Sequence, residues 1–221
     1  MKDIKAVIFD MDGVIFDTER LYLKTWEKIF DEYGYTMTKE IYTSVMGSGR
    51  DNVKKTFLKI YGDSLPIEEM YLKKDIMIKE SIKNGEVSIK DGALEILNFL
   101  KENNIKIALA TSATKKRVTL QLKLSHIEHL FDTVVCKDDI KNAKPDPEIF
   151  LKAAELLFEK PQNCIVIEDS LSGIKAAYNG NITAFHVVDL KKPNKEILEY
   201  SYKSFRDLFE IKEEIEGILK R

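Results

Sequence analysis

After Gly92 the sequence alternates short β-branched runs with helix-like stretches, and that alternation leaves few folds open. Helix Ala93–Asn103 is predicted to lead to strand Ile105–Ala110, helix Lys115–Leu124 to strand Thr133–Cys136, and helix Glu148–Phe158 to strand Cys164–Ile167. A short helix, Leu171–Tyr178, leads to strand Ile182–Val188, and one closing helix ends near Lys220. Strands alternating with helices imply a parallel sheet covered on both faces through right-handed crossovers.

Near the N-terminus, Ala6-Val7-Ile8-Phe9 is a further continuous apolar run that stops at Asp10-Met11-Asp12-Gly13. It reads as a buried parallel strand. From about Leu21 to Lys83 the pattern is helical throughout, with stripes Leu21/Trp26/Ile29/Phe30, Val53/Phe57/Leu58/Tyr61 and, after Pro66, Met70/Ile76/Met77/Ile82. A lone parallel strand needs parallel neighbours. The expected fold class is therefore α/β: a Rossmann-like parallel sheet core with an inserted helical cap domain. The core takes residues 1–16 and 88–221, and the cap residues 17–87.

The 221 residues are 44% hydrophobic, enough for a substantial core. Lys and Arg number 35 against 37 for Asp and Glu, so there is no basic footprint for a nucleic-acid partner. No apolar run is long enough for a signal peptide or a membrane span. Cys136 and Cys164 lie in β-branched runs without metal-like spacing and read as buried reduced thiols. These features point to a soluble cytoplasmic protein with a small-molecule partner. With little charge bias and no heptads, a monomer is expected.

In open parallel sheets ligands bind beyond the carboxyl ends of the strands. Past the first strand lie Asp10 and Asp12, and past the second Thr111 and Ser112. Lys144 follows the third, and Glu168 and Asp169 follow the fourth. Each has an ordinary structural role available: a turn, a helix cap, a rigid Lys-Pro-Asp-Pro loop, a helix start. Together they place four acids, a hydroxyl pair and a lysine on one edge. Four carboxylates so placed repel unless a cation joins them. An all-oxygen donor set suits Mg2+.

Asp10-Met11-Asp12-Gly13-Val14-Ile15-Phe16-Asp17-Thr18-Glu19 resembles the first motif of the haloacid dehalogenase superfamily. Thr111-Ser112 resembles its second motif, Lys144-Pro145-Asp146-Pro147 its third and Glu168-Asp169-Ser170 its fourth. The segment Gly173-Ile174-Lys175-Ala176-Ala177 is similar to that of the branch containing β-phosphoglucomutase and the sugar-phosphate phosphatases. The resemblance implies a phosphatase of small phosphorylated metabolites. Asp10 is then the nucleophile that forms an aspartyl-phosphate, and Asp12 the general acid and base. If the backbone stays extended, residues two apart project to one side, so both carboxylates can reach one phosphate. Asp10, Glu168 and Asp169 hold Mg2+ with a backbone carbonyl, that of Asp12 before that of Met11. Thr111, the amides of Ser112 and Ala113 at a helix start, and Lys144 bind the phosphate. Carbon–halogen chemistry needs neither the metal set nor an acid at position 12.

A mutase is the alternative. The resemblance places a His of β-phosphoglucomutase at Tyr22, and its cap Lys-Gly-x-x-Arg string at Met46-Gly47-Ser48-Gly49-Arg50, with the lysine lost and Arg50 kept. Arg50 can grip a distal anionic group of a substrate, or sit exposed at a helix start. Lys73 and Lys74 suit a solvated face. Trp26, Phe30, Met46 and Tyr22 are pocket candidates, with Trp26 and Phe30 favoured as core. Cap motion is expected to hinge near 16–19 and 84–88. His126, His129 and His186 fall outside every motif and receive no role. A non-catalytic phosphate-binding protein is the third reading, and the intact acid and lysine set argues against it.

Overall fold

The computed structural model describes residues 3–220. Two compact units divide the chain: one runs through Asp17 and resumes at Ser88, and the other is Thr18–Val87.

The second unit is four helices: α1 (Thr18–Glu32), α2 (Lys39–Val45), α3 (Arg50–Tyr61) and α4 (Ile67–Lys83). Helix α1 buries Leu23, Trp26, Ile29 and Phe30 at helical spacing and packs on α4. Trp26 meets Phe30, Phe57 and Tyr71 edge-on, with ring centroids 5.7, 5.6 and 4.9 Å away. Such T-shaped pairs add about 0.5–1.5 kcal/mol beyond burial. Trp26 and Phe30 are thus core, as their spacing suggested. The stripe on α4 differs from expectation. Its buried residues are Ile67, Met70, Tyr71, Ile78 and Ile82, and Ile76 is 58% exposed. Five residues past Tyr71 is about 140° around a helix at 3.6 residues per turn, which takes Ile76 off that face.

The first unit carries the strands β1 (Ala6–Phe9), β2 (Lys106–Ala110), β3 (Thr133–Val135), β4 (Cys164–Glu168), β5 (Thr183–Val187) and β6 (Lys203–Phe205). All pair in parallel, in the order β3-β2-β1-β4-β5-β6. Helices α5 (Ala93–Glu102), α6 (Lys115–Leu124), α7 (Glu148–Leu156), α8 (Leu171–Asn179), α9 (Lys195–Tyr200) and α10 (Leu208–Leu219) complete it. Alternate strand residues Ala6, Ile8, Ala108, Ala110, Val166 and Ala184 join one core with Phe150 and Ala153 of α7 and Ile174 and Ala177 of α8. Their neighbours Val7, Phe9, Ile107, Leu109, Ile167 and Phe185 are also buried, and α5 and α10 pack on each other and on the sheet. Burial on both faces is why these strands read as continuous apolar runs rather than alternating ones.

The C-terminal part corrects one expectation. In place of a single closing helix the chain forms α9, then β6, then α10. Lys203-Ser204-Phe205 has no hydrophobic period of its own. It is a strand because β5 offers a free edge: Tyr202 N–H donates to Ala184 at 2.8 Å and Val188 N–H to Phe205 at 2.9 Å. Cys136 and Cys164 are buried, and burial pushes both thiols up to about 11. No helix among the described residues is long and apolar enough to cross a membrane.

Strand β1 lies between β2 and β4, and the chain winds outward from it in both directions. The topological switch point is therefore the crevice beyond the carboxyl ends of β1 and β4, the general ligand position of such sheets.

Candidate active site

Asp10 follows β1, and its N–H donates to Ile167 of β4 at 3.0 Å. That register puts it beside Glu168, the last residue of β4, and Asp169. Oxygens of Asp10, Glu168 and Asp169 all lie within 4.8 Å of one another. Asp10 and Glu168 are buried. Lys144, from the loop before α7, inserts its ammonium between them, donating to Asp10 Oδ1 at 2.5 Å and Glu168 Oε1 at 2.7 Å. It also lies 4.8 Å from the Phe150 ring centroid. The other oxygen of Glu168 accepts the Ser170 N–H at 2.6 Å, and the Ser170 hydroxyl caps α8 by accepting from Gly173 N–H at 3.1 Å.

Burial pushes the Asp10 carboxyl up to about 7, with Glu168 and Asp12 adding to the rise and Lys144 opposing it. Burial also works against the Lys144 ammonium, but Asp10 and Glu168 outweigh it and hold the lysine above its ordinary range. This is a site where negative charge is crowded and costly.

Two glycines make the crowding sterically possible. A Cβ at Gly173 would fall on the Glu168 carboxylate, and one at Gly13 on that of Asp169. Gly13 also has φ +78°, which disfavours a side chain. The Gly13 turn is closed by its own N–H to Phe16 at 2.9 Å and by Ile15 N–H to Met11 at 3.0 Å. Lys90 holds it from outside, donating to the Gly13 carbonyl at 2.8 Å while pairing with the nearly buried Asp189 at 2.6 Å.

The strand ends at Phe9 and the chain bends at Met11, so Asp12 does not continue an extended run from Asp10, yet its carboxylate is close enough to add to the rise of the Asp10 carboxyl. The Asp12 carboxylate pairs with Arg117 of α6, whose Nε donates to Gln121 at 2.7 Å. It is outside the three-acid group.

Beyond β2, Thr111 is buried, and its hydroxyl accepts the Ala113 N–H at 3.1 Å. Helix α6 starts at Lys115, as its sequence suggested, and Lys115 N–H is taken by Asp138 at 2.7 Å. The Ser112 and Ala113 amides therefore belong to a loop before the helix. In the helical unit, Arg50 pairs with Asp75 at 3.1 Å and lies 4.3 Å from the Tyr71 ring centroid. Lys74 shares Asp75 at 2.7 Å, and Lys73 pairs with Glu32.

Residues 7–187 match the model of the haloacid dehalogenase-like hydrolases. The chain belongs to this family. It is 35% identical over 200 residues to a phosphorylated carbohydrates phosphatase of Thermotoga maritima, covering 89% of this chain and 91% of that protein. It is 34% identical over 188 residues to a probable pseudouridine-5′-phosphatase of Saccharomyces cerevisiae, covering 79% and 78%. Among solved structures, β-phosphoglucomutase of Clostridium difficile superposes with a TM-score of 0.70 at 30% identity, covering 98% of this chain and 97% of that one.

The donor set of this haloacid dehalogenase-like hydrolase fits a hard divalent cation. It is all oxygen, with three carboxylates converging and no His or Cys among them. Arg117 and Lys90 were invisible to sequence reasoning. Arg117 ends the run Lys115-Lys116-Arg117, which reads as a solvated helix face, and Lys90 carries no motif. Their positions in the first turn of α6 and at the return from the inserted unit were the available signals.

Proposed function

We propose that this hydrolase is a Mg2+-dependent cytoplasmic phosphatase of small phosphorylated metabolites, sugar phosphates foremost, acting through an aspartyl-phosphate on Asp10. The observation that carries the reading is the buried Asp10–Lys144–Glu168 ion cluster, with Asp169 alongside, at the switch point of the sheet. A carboxylate held between a lysine and a cation site suits in-line attack on a phosphorus whose oxygens need neutralising.

In this reading Asp10 forms its bond to phosphorus as the ester P–O bond breaks, and Asp12 gives the leaving oxygen its proton. Water then attacks the aspartyl-phosphate, Asp12 takes the water's proton, and Asp10 and inorganic phosphate are released. Mg2+ held by Asp10, Glu168, Asp169 and the Asp12 carbonyl supplies positive charge against the phosphate oxygens. Lys144 offsets charge between nucleophile and phosphate. The Thr111 hydroxyl and the Ser112 and Ala113 amides bind phosphate oxygens, Ala113 N–H exchanging its present bond to Thr111 for one to the ligand. Arg50 is the residue reserved for a distal anionic group of the substrate.

The relationship to the C. difficile mutase supports a second reading, phosphate return to an isomerised sugar. Tyr22 and Met46 argue against it, because two polar groups of the mutase pattern are missing. The test is phosphate release over sugar phosphates and pseudouridine 5′-phosphate, with Mg2+ and with chelator. Glucose 6-phosphate formed from β-glucose 1-phosphate and bisphosphate primer is scored in parallel. Magnesium-dependent free phosphate without isomerised sugar is expected. Isomerised sugar with little free phosphate makes the enzyme a mutase.

A further inference from the structure

His186 is a fully buried histidine on β5 with both ring nitrogens engaged. Nδ1 lies 2.7 Å from the Ser204 hydroxyl of β6, and Nε2 lies 3.2 Å from the Asp169 carbonyl. A carbonyl can only accept, so Nε2 carries a proton. Nδ1 shares a hydrogen bond with the Ser204 hydroxyl, which orients the ring. The strand register places Glu168, His186 and Ser204 in one row across β4, β5 and β6.

The bond to Asp169 matters because of what lies on the other side of the same peptide unit. The Asp169–Ser170 peptide is held at its carbonyl by His186 and at its N–H by the Glu168 carboxylate at 2.6 Å. Rotating that peptide would remove a bond that orients Glu168 and loosen the backbone that carries Asp169. Gly13 packs closely against the Asp169 carboxylate.

We propose that His186, oriented by Ser204, is a positioning residue that fixes the Asp169–Ser170 peptide and thereby the carboxylates of the divalent-cation site. The inference rests on the Mg2+ reading above. It makes the edge strand β6 part of the active-site support, three strands away from the nucleophile.

The experiment titrates Mn2+ into the full-length protein, following free Mn2+ by electron paramagnetic resonance, with thermal unfolding in chelator run alongside. His186→Leu keeps the bulk and loses the donor. His186→Gln keeps an N–H at similar reach. Loss of such an outer partner costs about 10- to 100-fold in metal affinity, so His186→Leu is expected to weaken Mn2+ binding by that factor, with His186→Gln within about threefold of wild type. Ser204→Ala, a mild change at a half-buried site, is expected to weaken binding severalfold, and it carries the test if His186→Leu fails to fold. Wild-type affinity in His186→Leu, or in Ser204→Ala where His186→Leu does not fold, overturns the inference alone. Equal losses in the Leu and Gln variants overturn it too, since packing would then explain both. A wild-type protein that binds no Mn2+, matching Asp169→Asn, overturns the cation reading and this inference with it.

Discussion

The two units handle charge in opposite ways. In the α/β unit Asp10 and Glu168 share Lys144 in a buried cluster, while Asp12 pairs with Arg117 and Lys90 with Asp189 around it. In the helical unit the interior is aromatic and the charges stay outside, with Arg50, Lys54 and Lys74 gathered around the Tyr71 ring. Strand ends in a parallel sheet are rigid and close together, so they can hold charges whose crowding costs several kcal/mol apiece. Exposed helical faces bear charges cheaply and tolerate their exchange. The proposed function uses this difference, with fixed chemistry in the first unit and adjustable recognition in the second.

The sharpest way to break that assignment is Asp10→Asn. Loss of a nucleophile costs on the order of 10³- to 10⁶-fold in kcat, and that collapse is expected here with the fold kept, read by steady-state turnover of an aryl phosphate and circular dichroism. Turnover within tenfold of wild type would sink the nucleophile role. Gly173→Ala comes next. Its Cβ must displace Glu168, so Mg2+ activation is expected to shift by about 100-fold, in the range found for disturbed ligand support. An unchanged activation curve would mean that Glu168 does not serve the cation.

A third prediction uses pH. Because burial holds the Asp10 carboxyl up near 7, the apo site is partly protonated at neutral pH. A cation must expel that proton, so binding releases protons near pH 7 and weakens by up to about tenfold per pH unit below it. Calorimetric titration in buffers of different ionisation enthalpy reads this directly, and a pH-independent affinity between 6 and 7 contradicts it. The smallest effect belongs to the helical unit. Arg50→Ala is expected to raise KM about tenfold for substrates with a second anionic group, the worth of a charge-assisted bond, and to leave kcat on an aryl phosphate unchanged. A fall in kcat without a KM change would move Arg50 from recognition to chemistry and blur the contrast between the units.

Much of the first unit was legible because its elements are long enough to carry a signal. The apolar runs ending at Phe9, Ala110 and Ile167 are strands buried on both faces, and Asp10, Thr111 and Glu168 stand where those runs stop. The stretch 18–87 reads as helical because its buried residues keep the period of 3.6. What escaped was whatever depends on a partner distant in sequence. The β6 segment Lys203–Phe205 is too short for periodicity and needs β5 to exist. Ile76 was misplaced because an apolar residue near a stripe looks like part of it until the helix phase is fixed.

The sequence by itself determined that a parallel α/β sheet forms, that Asp10, Glu168 and Asp169 end up at strand exits and that Lys144 lies in the loop between β3 and α7. Local propensity and burial pattern decide those matters, and they act within a few residues. Only the tertiary structure decided that Lys144 lies between Asp10 and Glu168, that Asp12 faces Arg117, and that His186 and Ser204 brace Asp169. Those pairings join residues 17 to 134 positions apart, and electrostatic matching over such spans exists only once the packed sheet has brought the strand ends together.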